Sequence, residues 1–281
     1  MLRSYSAEVL KFRQRPAVWV VLAVWLALGM TFTYLFPFLT YRSATDPRRA
    51  AQLLAPILPA QLPGHAISGY PMWGGALIVV LGALCLGSEY GWGTLKTMLS
   101  NRPGRLTVYG AQVATLVTAV AALVAVDFAL SGAASLLIAR SAGAATDLPA
   151  AGDLGRAMAA GWLILCMWCL FGVSLAVLLR GTALSIGLGL VWVLAIENLV
   201  RGTAPLVDLI GTIEKGLPGV NAGSLAAGLG SAGAGVSTGG GGGFFGVAAT
   251  VGAIQGLWVV ALYLVVFAAA GALALRLRDV Q

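Results

Sequence analysis

Charge is what this chain lacks. Only 10% of its 281 residues are Asp, Glu, Lys or Arg, where a soluble domain carries about 25%. Hydrophobic residues make up 59%, and the mean hydropathy is +0.91. Apolar runs of about 20 residues, enough to cross a bilayer, recur along the sequence. A soluble domain is excluded, and the chain reads as an all-α integral membrane protein.

The chemistry-bearing side chains are equally sparse. There is one histidine, His65, expected outside the membrane and without a role. The three cysteines, Cys85, Cys166 and Cys169, all lie inside apolar runs. Cys166-x-x-Cys169 has the spacing of a metal or redox pair, but no His or carboxylate is near in sequence. The three thiols read as small buried apolar side chains. No Walker motif occurs, and no internal repeat of the kind that builds a two-halved carrier. No catalytic constellation is apparent, and no cofactor is expected in this chain.

What charge there is has a clear distribution. The net +7 is spread over short segments between apolar runs, which fits loops facing anionic lipid rather than a nucleic-acid surface. Residues 2–15, "LRSYSAEVLKFRQR", place Leu2, Tyr5, Val9 and Phe12 on one helical face, with Arg3, Lys11, Arg13 and Arg15 over much of the remainder. That pattern predicts a basic amphipathic helix lying in the headgroup region, after which Pro16 ends it or opens the next helix. No Ala-x-Ala-like cleavage site follows Phe38, so the first apolar run is expected to be retained as a span.

Six spans are expected near 17–39, 71–88, 108–139, 157–179, 182–200 and 247–275. Only "RGT" (Arg180–Thr182) separates the fourth from the fifth. With the N-terminus inside, ten basic residues lie inside (3, 11, 13, 15, 96, 102, 105, 180, 276, 278) and seven outside (42, 48, 49, 140, 156, 201, 215). The shorter inner segments concentrate theirs, so both termini are expected in the cytoplasm. Residues 40–70, punctuated by proline, are expected to be partly helical. In residues 201–246, Leu206, Ile210 and Ile213 share a face, which predicts a short helix on the outer leaflet. The glycine-rich stretch that follows, with its run at 239–243, reads as a flexible connector.

Four of the scarce charges gather in "GSEYGWGTLKTMLSNRPGR" (Gly87–Arg105). Ser88 is placed to cap a helix there, and Glu89 falls in the first turn, where the dipole favours an anion. Trp92, Leu95, Met98 and Leu99 form an apolar face opposite Lys96 and Ser100, giving a short amphipathic helix over 89–100. Periodicity alone allows a lipid anchor as well as a docking element. The residues go further. "SEYGWGTLKTMLSNRPGR" resembles the E-x-x-x-G-T-L-[KR] … R-P-x-[RS] stretch of type-2 ATP-binding-cassette export permeases, including bacitracin-export-like subunits. In that family the segment is the coupling helix that docks into the ATP-binding subunit. The resemblance implies that role for Glu89, Gly93, Thr94, Leu95, Lys96, Arg102, Pro103 and Arg105. It extends to the N-terminal helix, the six spans, the hairpin at Arg180 and "LPGVN" (Leu217–Asn221). The glycine-rich insert departs from it.

Two acids fall inside spans, where each costs about 2.5–3.5 kcal/mol at mid-bilayer. Asp127 and Glu197 are candidates to line a pathway or gate, with a local pair between Glu197 and Arg201 as the simpler reading.

The resemblance implies the permease subunit of an ATP-driven exporter in a bacterial cell membrane. It would act as a homodimer with two separate ATPase subunits, which hold ATP and magnesium. A hydrophobic or amphipathic substrate would leave the cytoplasm or inner leaflet. The rival readings are a proton-coupled carrier using Asp127 or Glu197, and a membrane anchor or immunity subunit that transports nothing.

Overall fold

The computed structural model describes residues 2–91, 104–231 and 247–277, and every regular element among them is helical. An N-terminal helix, Leu2–Gln14, precedes six helices long and apolar enough to span a membrane: Pro16–Ser43, Pro59–Gly91, Arg105–Ala142, Ala151–Leu179, Thr182–Leu206 and Ala253–Leu277. The all-α, six-span architecture is the one the apolar runs predict.

Several boundaries differ from the sequence reading, for physical reasons. The second helical stretch begins at Pro59 rather than near residue 71. Pro59, Pro63 and Pro71 sit in the first turns of successive short helical pieces, where the missing N–H costs nothing. They start helix instead of breaking it. One of these pieces, Leu62–Ile67, is buried at every residue. His65 is therefore buried in the protein. Its Nε2–H donates to the Thr33 carbonyl at 2.8 Å, and its ring meets Tyr34 edge-on at 5.1 Å.

The second and fourth spans form the axis of the bundle. In the most apolar stretch of each helix, 67% and 72% of residues are buried, against 11% in the sixth span. Glycine allows the approach. A Cβ on Gly82 would strike the Cys169 carbonyl oxygen, and one on Gly172 would strike the Val79 carbonyl oxygen. The two backbones thus lie directly against each other, the close crossing that small residues permit in membranes. Trp168 completes the contact, its Nε1–H donating to the Pro71 carbonyl at 3.1 Å. The cysteines are free and buried among these helices.

The fourth span ends at Arg180, whose φ of 53° is left-handed. That conformation turns the chain at once into the fifth span. Beyond the fifth span, Asp208–Glu214 exposes Leu209 and Ile213. Pro218–Ala227 then runs through the interior, buried at every residue. Among the described residues three π-helical turns interrupt the spans, at Thr31–Leu35, Tyr70–Gly74 and Val191–Ile196.

Candidate functional site

The second span runs without a break through Glu89 to Gly91. Glu89 therefore sits in a last helical turn, and Ser88 does not cap a new helix. The Ser88 hydroxyl is buried without a hydrogen-bond partner. The apolar run that precedes these residues simply carries its hydrogen bonding onward, and Glu89 finds its partners in other helices.

Those partners build a compact charge cluster. Glu89 is 1% exposed. Lys11 Nζ lies 2.7 Å and Arg15 Nη2 lies 3.0 Å from its Oε1, while Gln112 Nε2 donates to its Oε2. Arg15 Nη1 also donates to the Cys85 carbonyl at 2.7 Å. Arg15 thus ties both to the backbone of the second span and to the Glu89 side chain one turn further on. Lys11 pairs in addition with Glu8 at 2.8 Å, so two cations face two carboxylates. Burial raises the Glu8 carboxyl above its ordinary range, opposed by the bond from Lys11.

Lys11 and Arg15 were expected on a headgroup-facing surface, yet they point inward. The reason is energetic: a buried carboxylate without a partner costs several kcal/mol, and these two cations supply the compensation. Arg13 remains exposed, and its carbonyl accepts from Trp19 Nε1 at 2.8 Å. Between the helices lies a cavity of about 20 Å³, lined by Glu8, Lys11, Arg15, Gln112 and Thr115 among others. It is large enough for about one water molecule.

The cluster joins three elements at one end of the bundle: the N-terminal helix, the close of the second span and the start of the third. Tyr5 adds a hydrogen bond to Thr118 at 3.2 Å. Arg105, at the first turn of the third span, reaches the Leu275 carbonyl of the sixth span at 3.5 Å. Tyr109 donates to the Ala268 carbonyl at 3.0 Å. Gly93, Thr94, Leu95, Lys96, Arg102 and Pro103 lie outside the described residues. The segment that holds them is bracketed on both sides by helices tied into this cluster.

The two acids occupy the other half of the bundle, apart from each other. Asp127 is buried, and Tyr70 Oη donates to its Oδ2 at 2.8 Å. Glu197 accepts from the Gly219 N–H at 3.1 Å and from Trp192 Nε1 at 3.2 Å, with Arg201 at 3.7 Å. The expected pair with Arg201 is present, but the Gly219 contact is the unforeseen one. It seats a carboxylate at the start of the buried helix Pro218–Ala227, where backbone N–H groups are unpaired and anions are favoured. A Cβ on Gly219 would occupy the position of the carboxylate, which accounts for glycine there.

The sequence reading missed Gln112. Its only signal is an isolated amide in the apolar third span, next to a tyrosine three residues back.

Residues 5–196 match the family model described as "ABC-2 family transporter protein". The chain belongs to the ABC-2 transporter family. The match covers most of the N-terminal helix, the charge cluster and Asp127, and stops one residue short of Glu197. No curated protein matches the chain. ABC-2 permeases are membrane subunits that work with ATP-binding-cassette ATPases. A multi-pass membrane protein with a cluster beside an inter-span segment is consistent with that division of labour.

Proposed function

We propose that this ABC-2 permease is the export subunit of a bacitracin-export-like transporter, with residues 92–103 as the element that meets the ATPase. The observation that carries the reading is the clamp of Glu89 by Lys11, Arg15 and Gln112. Movement of the segment between the second and third spans is passed at once to the N-terminal helix and both spans, because all three share one buried carboxylate. In this reading the N-terminal helix and the cluster lie at the cytoplasmic face. ATP and magnesium act in the partner, two permeases pair, and a hydrophobic or amphipathic molecule crosses between them. Gly93–Lys96 and Arg102–Arg105 supply the docking residues, while Glu89 acts behind them as a positioning residue.

The test is affinity capture of the permease from its native membranes. An ATP-binding-cassette ATPase should co-purify with the wild type. Leu95→Asp, which places an uncompensated charge in the docking face, should lose it while the six spans still insert. Glu89→Gln should retain the ATPase but lose substrate-stimulated hydrolysis after reconstitution. Full capture and full stimulation with Leu95→Asp would remove residues 92–103 from partner contact and sink the reading.

A further inference from the structure

A second polar centre lies in the other half of the bundle. Asp127, on the third span, is 3% exposed. Among the described residues no Lys, Arg or His forms an ion pair with it, and Tyr70 is its hydrogen-bond donor. One neutral donor is little for a buried carboxylate, which normally needs two or three donors or a cation.

Two further buried hydroxyls surround it without partners. Ser131, one turn along the third span, is fully buried, and its Oγ makes no hydrogen bond. Tyr34, from the first span, is 3% exposed, and its Oη makes none either. Ser131 and Asp127 are both close enough to act on the Tyr34 hydroxyl, yet the geometry closes no bond. Buried polar atoms left open in this way call for an explanation, commonly a ligand or a water.

The backbone gives an independent sign. Tyr34 and Tyr70 both come from π-helical turns, Thr31–Leu35 and Tyr70–Gly74. Such turns are rare, cost regular hydrogen bonds and concentrate at functional sites. Two of the three among the described residues converge on one aspartate. His65 stands behind Tyr34, holding the first π turn through the Thr33 carbonyl. Trp25 packs edge-on against Tyr70 at 5.3 Å and donates to the Gly74 carbonyl at 3.1 Å. The first span, the start of the second and the third are therefore joined through this centre.

We propose that Asp127 is a proton-binding site, and that the bound proton latches the first span to the second and third at this end of the bundle. The proton comes from water and forms an O–H bond on Oδ1, since Oδ2 already accepts from Tyr70. The neutral acid gains a donor that the open hydroxyl oxygens can accept, and the centre is then satisfied without a cation. Loss of the proton to water leaves a carboxylate with one donor. The ionised group is accommodated only if water enters, and the two π turns are the places where the helices can re-register to admit it. The titratable groups facing Asp127 are Tyr70 from the second stretch and Tyr34 from the first span, with His65 one ring further.

The site is independent of the exporter reading, and its test needs neither substrate nor ATPase. Infrared difference spectra of the purified, reconstituted protein should show the carbonyl stretch of a protonated carboxylic acid that titrates with pH. The band should be missing in Asp127→Asn and displaced in its midpoint by Tyr70→Phe. For the latch, a cysteine replaces buried Ser135, one turn beyond Ser131, in a background without the native thiols. Its labelling, normalised to a cysteine at exposed Ala145, should rise by about fivefold or more as the buffer turns basic. The rise should vanish in Asp127→Asn and persist in His65→Gln. Absence of a titrating band lost with Asp127→Asn overturns the proton site. Labelling that follows His65, or that is unchanged by Asp127→Asn, overturns the latch. If Asp127→Asn does not fold, Tyr70→Phe alone decides: an unmoved midpoint in both readouts rejects the proposal.

Discussion

At the scale of single residues, the cluster at Glu89 shows how a sparse charge set is used. Lys11, Arg15 and Glu89 each stand out in the sequence, but for separate reasons: two as headgroup contacts and one as a helix cap. Their meeting joins positions more than 70 residues apart in the chain, and no local pattern encodes such a pairing. Gln112 is still less legible, because a lone amide in an apolar helix has many uses. Glu8 gives the cluster a pH dependence whose sign follows from its environment. Burial, the largest influence, raises its carboxyl above 4.5, and Lys11 opposes this. The folded protein therefore holds the Glu8 proton to higher pH than the unfolded chain does. Stability from this residue falls as pH rises through its folded value, and the effect is absent below the unfolded value. Glu8→Gln removes the ionisation while keeping the shape. In detergent, the variant should melt at or above the wild-type temperature at neutral pH, with the difference closing as the buffer is acidified below the ordinary glutamate range. A Glu8→Gln protein that melts well below wild type at neutral pH would show that the Lys11 bond outweighs burial.

At the scale of elements, helix and span were readable because apolar runs of the right length leave few alternatives. The interruptions were not. π turns carry no residue signature, and the prolines at 59 and 63, in a stretch expected to be only partly helical, begin helical pieces that extend the second span. The buried helix Pro218–Ala227 was hidden for a related reason. Its composition, rich in Gly, Ala and Ser, looks like an outer connector, yet small residues are what let it pack inside. Gly256 of the sixth span, for example, lies against the Asn221 carbonyl. The same logic makes the second and fourth spans sensitive to a single methyl. Gly82→Ala and Gly172→Ala each drive a Cβ into the facing backbone carbonyl, which cannot rotate away as a side chain would. Overpacking of this kind costs about 1–3 kcal/mol. Gly29→Ala is the matched control, since open space surrounds that position and alanine favours helix by up to about 1 kcal/mol. Thermal unfolding in detergent should rank Gly29→Ala at or above wild type and the other two clearly below it. Equal stability of all three would mean that the second and fourth spans do not cross in backbone contact.

At the scale of the whole molecule, the arrangement divides along its length. One end holds the paired charges, with the N-terminal helix, Arg105 and the close of the sixth span. The other holds Asp127 and Glu197, the π turns and the buried short helices. The third span, 38 residues long, connects the two and extends about 57 Å at 1.5 Å per residue, well beyond the hydrocarbon thickness of about 30 Å. Its two ends must therefore project on opposite sides of the bilayer. On the proposed orientation the N-terminal end, where four basic residues precede the first span within 15 residues of the N-terminus, lies in the cytoplasm, as a concentration of positive charge favours. Single cysteines at Ser100 and Ala145, in a background lacking Cys85, Cys166 and Cys169, test this in intact cells. Ala145 should react with a reagent that does not cross membranes, while Ser100 should react only with one that does. The pattern reversed would place the charge cluster outside, away from any ATPase. Labelling of both from the same side would be incompatible with the third span crossing the membrane at all.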